Sequence, residues 1–232
     1  MPTNLYSFPN IHLVSSFDEL VSKPFQGEQN IIGWLRDAQG DFSELVQQFK
    51  MKEDTMNIEP EQLEQLNLSA AGQMARQLVL DDYNRLKACG ASPALNLIKH
   101  YSRDEENIVF PRDVYSFHVD QSPIPTSTYL CTYHGPPSEV LPNTEAEKKV
   151  MLPEWRLQLK KLHEGPDETF ESFLREQFYD LHYQASPNAH PIRLGTGNLW
   201  RLAVEHPGCP VLPCIHRAPP DVPGLPRLLL IC

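Results

Sequence analysis

The chain has 232 residues and a formal net charge of −10 at neutral pH, so it is long enough for one large domain but too acidic for sequence-independent binding to nucleic acid. No apolar run approaches the length of a membrane span, and the first residues lack the basic and apolar regions of a secretion signal. Five cysteines without paired spacing argue against a disulfide framework, and we therefore expect a reduced cytoplasmic protein.

The first part of the chain, about residues 1–105, is predicted to combine short strands with helices. Capping residues mark the helices: Asp41 precedes an amphipathic segment over residues 42–49, and Ser69 precedes a longer helix that Gly90 ends. The strand candidates are three short apolar segments, residues 11–14, 30–35 and 95–101.

The second part, about residues 108–231, is predicted to be a β-core with a helical insertion at about residues 144–182. Many of the 22 prolines lie between residues 187 and 226, where they exclude helix interiors and favour short strands joined by rigid turns. Apolar spacing in the insertion predicts two helices, separated by Gly165 and Pro166. The strand candidates of the core are residues 114–119, 126–133, 191–194, 198–204, 211–216 and 227–231.

These elements together predict one α+β domain that covers residues 1–232. Many short strands separated by turns are typical of architectures built from two facing sheets. The expected core is a double-stranded β-helix of the jelly-roll or cupin-like type, with helices before it and a helical insertion within it. Two further strands from before residue 114 are needed to complete this core.

Three residues of the predicted core, which we call the triad, are candidate metal ligands and catalytic residues: His118, Asp120 and His216. Residues i and i+2 of a strand point to the same side, so His118 and Asp120 face one cavity while Val119 faces away. Two imidazoles and one carboxylate can hold one face of Fe(II) and leave the opposite face open. The alternative is that His118 and Asp120 belong to turns and that His216 is an ordinary exposed histidine.

Arg227 and Arg217 are candidate anion-binding residues. Arg227 leads into an apolar segment, where a cation must find an anion or reach solvent. A structural carboxylate partner for Arg227 is the alternative. Tyr129 and Tyr133 lie on a predicted strand and are candidates to line the same cavity.

A competing interpretation is a zinc site. Cys209 and Cys214 lie close to His206 and His216 in the sequence, and thiolates are good ligands for zinc. In this interpretation the protein binds zinc through the triad, with or without Cys214, and catalyses no oxygenation. A third interpretation is a cupin-like scaffold that has lost its metal and mediates protein contacts.

The chain resembles a family of bacterial proteins known only as a domain of unknown function. The resemblance covers about residues 10–231, and its most specific part is the pair of motifs nearest the end of the sequence. Ala218 stands where the family pattern has serine. The matching motifs are Phe117-His-Val-Asp120, Thr132-Tyr-His-Gly-Pro-Pro-Ser-Glu139, Gly197-Asn198 to Glu205, His216-Arg-Ala-Pro-Pro220 and Arg227-Leu-Leu-Leu230.

The order of His-x-Asp, a distant His and then Arg is also similar to that of the Fe(II)- and 2-oxoglutarate-dependent dioxygenase superfamily, which has a double-stranded β-helix core. This resemblance implies that the triad binds iron and that Arg227 pairs with a carboxylate of the co-substrate. Leu229 stands where many of these enzymes have Ser or Thr. The expected function is an oxygenase that acts on a small molecule or a protein side chain, with a zinc-binding protein as the alternative. The sequence carries no signal for the oligomeric state.

Overall fold

The computed structural model describes residues 8–103, 112–178 and 182–232. None of the helices in these ranges combines the length and the hydropathy needed to cross a membrane. The helices are α1 (Phe17–Ser22), α2 (Phe42–Gln47), α3 (Pro60–Glu64), α4 (Ala70–Ala88), α5 (Pro153–Leu162) and α6 (Phe170–Gln177). The strands are β1 (Ile11–Val14), β2 (Ile31–Trp34), β3 (Thr55–Ile58), β4 (Ala94–Ile98), β5 (Ser127–His134), β6 (Glu139–Leu141), β7 (Ala146–Lys148), β8 (Tyr183–Ala185), β9 (Ile192–Arg193), β10 (Leu199–Ala203), β11 (Ile215–Arg217) and β12 (Arg227–Ile231).

Capping side chains start the helices of the first part where the sequence predicts. The carboxylate of Asp41 accepts a hydrogen bond from the backbone N–H of Glu44 at the start of α2. The hydroxyl of Ser69 accepts one from the N–H of Gly72 at the start of α4. Each cap satisfies a backbone donor that the helix itself leaves unpaired. The predicted starts of both helices are confirmed.

A large mixed sheet of seven strands has the order β1-β2-β10-β5-β12-β4-β3. β1 runs parallel to β2, and all other neighbours in the sheet are antiparallel. A small sheet has the order β11-β6-β9, and β7 pairs with β8. The segment that contains His118 extends the small sheet, because His118 forms an antiparallel bridge with His216 of β11.

The large sheet separates two hydrophobic clusters. On one face, Leu45 of α2 and Val79 of α4 belong to the same cluster as Leu97 of β4. On the other face, Leu130 of β5 shares a cluster with Val140 of the small sheet. Burial of one such aliphatic side chain contributes about 1.5–3 kcal/mol. The described residues therefore form three layers, which are helices α1–α4, the large sheet and the small sheet, while α5 and α6 pack in a cluster of their own.

The chain alternates between the two sheets. In sequence order it runs through β4 of the large sheet, residues 117–118 beside the small sheet, and β5 of the large sheet. It continues through β6 and β9 of the small sheet, β10 of the large sheet, β11 of the small sheet and β12 of the large sheet. These eight segments leave β1, β2 and β3 as additions at the two edges of the large sheet. The predicted double-stranded β-helix itself stays a prediction.

The strand predicted over residues 114–119 is wrong for its first half. Residues 114–116 form a turn, in which a carboxylate oxygen of Asp113 accepts the backbone N–H of Tyr115. Its backbone oxygen accepts the N–H of Ser116. Only Phe117 and His118 make β-bridges in this stretch. A local turn therefore replaces the ladder that the alternating apolar pattern predicts.

The insertion is less helical than predicted. Residues 146–148 form β7 rather than helix, and α5 begins only at Pro153. Proline suits the first position of a helix, where the missing N–H would have no partner. α6 ends at Gln177, and residues 179–181 of the predicted second helix lie outside the described residues.

Candidate metal centre

The structure brings the three triad residues together. Ligand atoms of His118, Asp120 and His216 all lie within 4.8 Å of one another. The two histidines form a closely hydrogen-bonded backbone pair, in which each N–H donates to the other residue's carbonyl oxygen at 2.9 Å. Their ring centroids are 4.5 Å apart, and His216 Nε2 lies 3.7 Å from Asp120 Oδ2. Residues far apart in the sequence thus share one small volume beside the small sheet.

Backbone carbonyl groups set the tautomer of both imidazoles. His118 Nδ1 lies 2.8 Å from the carbonyl oxygen of Ser116, and His216 Nδ1 lies 3.2 Å from that of Cys214. A carbonyl oxygen only accepts hydrogen bonds, so each Nδ1 carries the hydrogen. Each Nε2 therefore keeps its lone pair, which is the arrangement in which histidine binds a metal while its other nitrogen is held.

Asp120 is oriented by β5 of the large sheet. The hydroxyl of Thr128 donates a hydrogen bond to Asp120 Oδ2. The backbone oxygen of Asp120 accepts the N–H of Glu205 at 2.8 Å. The side chain is 36% exposed, so the carboxylate combines a fixed orientation with access to solvent. A carboxylate held in this way is preorganised to bind a cation.

The surroundings keep two imidazoles of this region neutral. Burial lowers the pKa of His216, an effect that the Asp120 carboxylate opposes and that the charges of His118 and Arg227 increase. Burial, with the nearby His118 and Lys149, lowers the pKa of His182 to about 4. Neutral imidazole is the form that binds metals, because the lone pair must be free.

The donor set fits a divalent cation of the first transition row. Two ligands held at right angles, each about 2.1 Å from a metal, lie about 3 Å apart. The 3.7 Å between His216 Nε2 and Asp120 Oδ2 needs only a small closure to reach that spacing. Three protein ligands leave the remaining positions of an octahedral ion open. His118, Asp120 and His216 can therefore hold such an ion and leave one side of it accessible.

Arg227 is a buried cation whose hydrogen-bond partners are neutral. The residue is 5% exposed, and its guanidinium contacts the hydroxyls of Tyr101, Thr132 and Ser138. Within the part of the chain that the structure describes, its Nε has no hydrogen-bond partner. Among the residues that the structure describes, no carboxylate lies within salt-bridge distance of it. A buried charge without a counter-ion is costly, so an anion placed at this site would stabilise the guanidinium.

The Arg227 site and the triad lie on the same side of the large sheet. Thr128, which contacts Asp120, and Thr132, which contacts Arg227, alternate with Leu130 on one face of β5. Burial lowers the pKa of Arg227, and its charge in turn lowers the pKa of His216. The two sites are therefore close enough to interact electrostatically.

Arg217, the second predicted anion-binding residue, already has an anion. Its Nε and Nη2 donate to Glu139 Oε2 at 2.9 and 2.7 Å, and its guanidinium lies 4.3 Å from the ring centroid of Phe117. Pairing of β11 with β6 sets Arg217 opposite Glu139. The predicted binding of a co-substrate by Arg217 is therefore corrected to a structural ion pair.

Tyr129 and Tyr133 lie on the opposite face of β5 from Thr132. Tyr133 donates a hydrogen bond to Asp82 of α4 at 2.6 Å, and Tyr129 packs in the cluster on the helical face. The cause is the two-residue period of a strand, which sends odd-numbered residues of β5 towards the helices. The expectation that these tyrosines line the metal cavity is corrected accordingly.

The cysteine-containing zinc site is not assembled. Cys214 is buried between the two sheets, whereas Cys209 and His206 line a separate cleft of about 900 Å³. Within the described ranges, the triad is the only group of three or more His, Cys, Asp or Glu side chains close enough to share an ion. The residues predicted to form the competing site therefore lie apart.

Sequence reasoning missed several polar residues of the region. Thr128 had a usable signal, because it shares one face of a predicted strand with Thr132 and that strand follows the His-x-Asp triplet. Ser138 and His182 had none, since both are placed by long-range pairing of the small sheet and by the insertion. Ser116 was missed because the turn that contains it was predicted as a strand.

Comparisons with protein families, curated proteins and solved structures find no match for the chain. The resemblances to the bacterial family and to the dioxygenase superfamily therefore stay predictions.

Proposed function

We propose that the chain is a non-haem Fe(II)- and 2-oxoglutarate-dependent oxygenase. The observation that carries the proposal is the buried Arg227, without a carboxylate partner among the described residues, on the same side of the sheet as two imidazoles and one carboxylate. A dicarboxylate that places one end at the metal and the other at Arg227 would supply the missing negative charge. A metal site without such a co-substrate gives Arg227 no role.

The connectivity supports a double-stranded β-helix core for this enzyme. Eight segments alternate between two facing sheets, as the fold requires. In that fold, β5 and β12 contribute Thr132 and Arg227 from the large sheet, and β11 contributes His216 from the small sheet. The metal centre would then lie between the two sheets, with helices α1–α4 on the far side of the large sheet.

Within this proposal the triad holds the iron. His118 and His216 bind through Nε2, since their Nδ1 atoms donate to backbone carbonyl groups. Asp120 binds through a carboxylate oxygen while Thr128 fixes its orientation. Fe(II), when bound, supplies the redox chemistry with which oxygen is activated for attack on a substrate C–H bond.

The co-substrate site uses hydroxyl groups from three strands or turns. Arg227 neutralises the far carboxylate of 2-oxoglutarate, and the hydroxyls of Tyr101, Thr132 and Ser138 supply further hydrogen bonds. Leu229 is buried and apolar where many dioxygenases have Ser or Thr. In this chain Thr132 of β5 and Ser138 before β6 take over that contribution.

We also propose that the protein is cytoplasmic. All five cysteines are free thiols, which fits the reducing cytoplasm in which Fe(II) is retained. The motif pattern of the bacterial family includes all three triad residues and Arg227. The substrate is proposed to be a small molecule or a protein side chain, since the net charge of −10 disfavours nucleic acid.

Anaerobic titration of metal-free protein with Fe(II) and then 2-oxoglutarate tests the proposal. We expect the weak visible charge-transfer band of an iron-chelated keto acid in the wild type and no band in His216→Ala. Arg227→Met should bind Fe(II) normally but require at least tenfold more 2-oxoglutarate for the same band, because it removes the counter-charge. Arg175→Met, which changes an exposed arginine of α6, is the matched control.

Two results would contradict the proposal. If the wild type gives no band and carries stoichiometric zinc, the zinc-binding alternative is favoured, in which the triad holds zinc without oxygenation. If a band forms with equal affinity in Arg227→Met, the triad binds iron but Arg227 does not bind the co-substrate.

A further inference from the structure

His182 is a buried histidine beside the triad that the proposed function leaves without a role. The residue is 8% exposed, and its ring stacks on that of His118, with centroids 5.2 Å apart and planes 29° apart. Its φ is +49°, and no other non-glycine residue in the described ranges has a positive φ. Such strained positions persist only where the surroundings hold them, and they cluster at functional sites.

Ser116 connects the two imidazoles. Its carbonyl oxygen accepts the hydrogen bond from His118 Nδ1 at 2.8 Å, and its hydroxyl is hydrogen-bonded to His182 Nδ1. The same hydroxyl donates its one hydrogen to the carbonyl oxygen of Asp113 at 3.0 Å. His182 Nδ1 must therefore be the donor to Ser116. One residue thus fixes both rings relative to each other.

The backbone around His182 is tied to the segment that carries His118. The carbonyl oxygen of His182 accepts the N–H of Lys149 at 3.0 Å. The next residue, Tyr183, donates its N–H to the carbonyl oxygen of Phe117 at 2.7 Å. Phe117 directly precedes His118, so the end of the insertion is anchored at the metal ligand. The strained backbone of His182 follows from this double attachment.

We propose that His182 is a positioning residue of the metal centre. By stacking on His118 and sharing Ser116 with it, His182 fixes the plane of the His118 imidazole and raises the affinity of the triad for a divalent cation. This inference rests on the proposed metal centre. Residues that orient a metal-bound histidine typically contribute 10–100-fold to metal affinity.

Titration with Co(II), followed by its visible ligand-field absorption, tests the role of His182. His182→Asn tolerates the positive φ and keeps a side-chain N–H for Ser116, but it removes the stacked ring. We expect Co(II) binding about tenfold weaker than in the wild type and a shifted absorption band. His190→Asn, a change at an exposed histidine, should leave both unchanged. His216→Ala identifies the absorption that arises from the triad.

The outcomes separate this inference from the proposed metal centre. If His182→Asn keeps wild-type affinity and spectrum, the inference is overturned while the metal centre stands. If the wild type binds no Co(II), both are overturned. If the asparagine variant does not fold, His182→Gly, which also accepts a positive φ, is held to the same expectation.

Discussion

Arg36 and Arg227 lie on opposite faces of the large sheet, and of the two only Arg36 has a carboxylate partner among the described residues. On the helical face, Arg36 binds Asp82, a fully buried carboxylate of α4, with two guanidinium nitrogens. The carboxylate raises the pKa of Arg36 against the opposing effect of burial. On the other face, the hydrogen-bond partners of Arg227 in the described part of the chain are neutral hydroxyl groups, and burial lowers its pKa.

A charge with a structural role has its counter-ion within the fold, and Arg36 meets this condition. The Arg36–Asp82 pair has further hydrogen-bond partners: Tyr133 also donates to Asp82, and Arg36 Nε donates to the carbonyl oxygen of Gly197. Such a network fixes α4 against the sheet and has no capacity for another anion. Among the described residues the Arg227 site has no counter-ion, so an anion that bound there would offset the cost of the buried charge.

The largest expected effect is the loss of stability in Arg36→Met. The substitution leaves the Asp82 carboxylate buried without its cation, which should lower the free energy of unfolding by about 3–5 kcal/mol. Urea denaturation of the metal-free protein measures it. Arg175→Met, a change at an exposed arginine of α6, should shift stability by about 0.5 kcal/mol or less. A loss below about 1 kcal/mol in Arg36→Met would remove the contrast between the two faces.

Arg227→Met should behave in the opposite way. Because no buried carboxylate is left behind, the free energy of unfolding should change by about 1 kcal/mol or less, or even rise. The same urea experiment in the absence of 2-oxoglutarate measures it. A loss as large as that of Arg36→Met would mean that Arg227 has a structural partner, and the anion-binding role would then lose its main support.

Cysteine reactivity should show the smallest difference between the faces. Burial raises the pKa of Cys131 on the helical face to about 12 and that of Cys214 on the other face well above its usual value. At pH 8 the thiolate fraction of Cys131 is then about 10⁻⁴. Neither thiol should react with iodoacetamide in the native protein, whereas the exposed Cys89 should.

As the pH is raised, the cysteines should become labelled in the order of their pKa values. Mass spectrometry of the labelled peptides measures this order. Burial raises the pKa of Cys232 to about 11, so its labelling should accelerate up to that pH, before that of Cys131. Rapid labelling of Cys214 at pH 8 would show that the small-sheet face is open to water. Arg227 would then not be a desolvated charge.

Features set by neighbouring residues were predicted better than contacts between segments that are distant in the sequence. The helix caps at Asp41 and Ser69 depend on a few adjacent residues, and the structure contains both caps. The convergence of His118 and Asp120 followed from the spacing of two residues. The proximity of His216 was an expectation that depended on a fold, and the structure brings it within reach of the other two.

Strand register and facing direction could not be predicted. Arg217 meets Glu139 only because β11 pairs with β6 in one particular register. Both faces of β5 are covered, so its apolar pattern does not reveal which face holds the helices. For this reason the direction of Tyr133 towards α4 could not be predicted. The turn at Asp113 overrode the alternating pattern of the residues that follow it.

The position of β12 has a consequence for the order in which the molecule can be assembled during synthesis. β12 follows both β4 and β5 in the sequence, yet it lies between them in the large sheet. Until the ribosome has released it, the edges of both neighbours have no mate and expose backbone groups that invite association with other chains. In a partial product that stops before Arg227, the large sheet is therefore split into two parts. Its exposed strand edges are prone to aggregation, from which chaperones protect nascent chains.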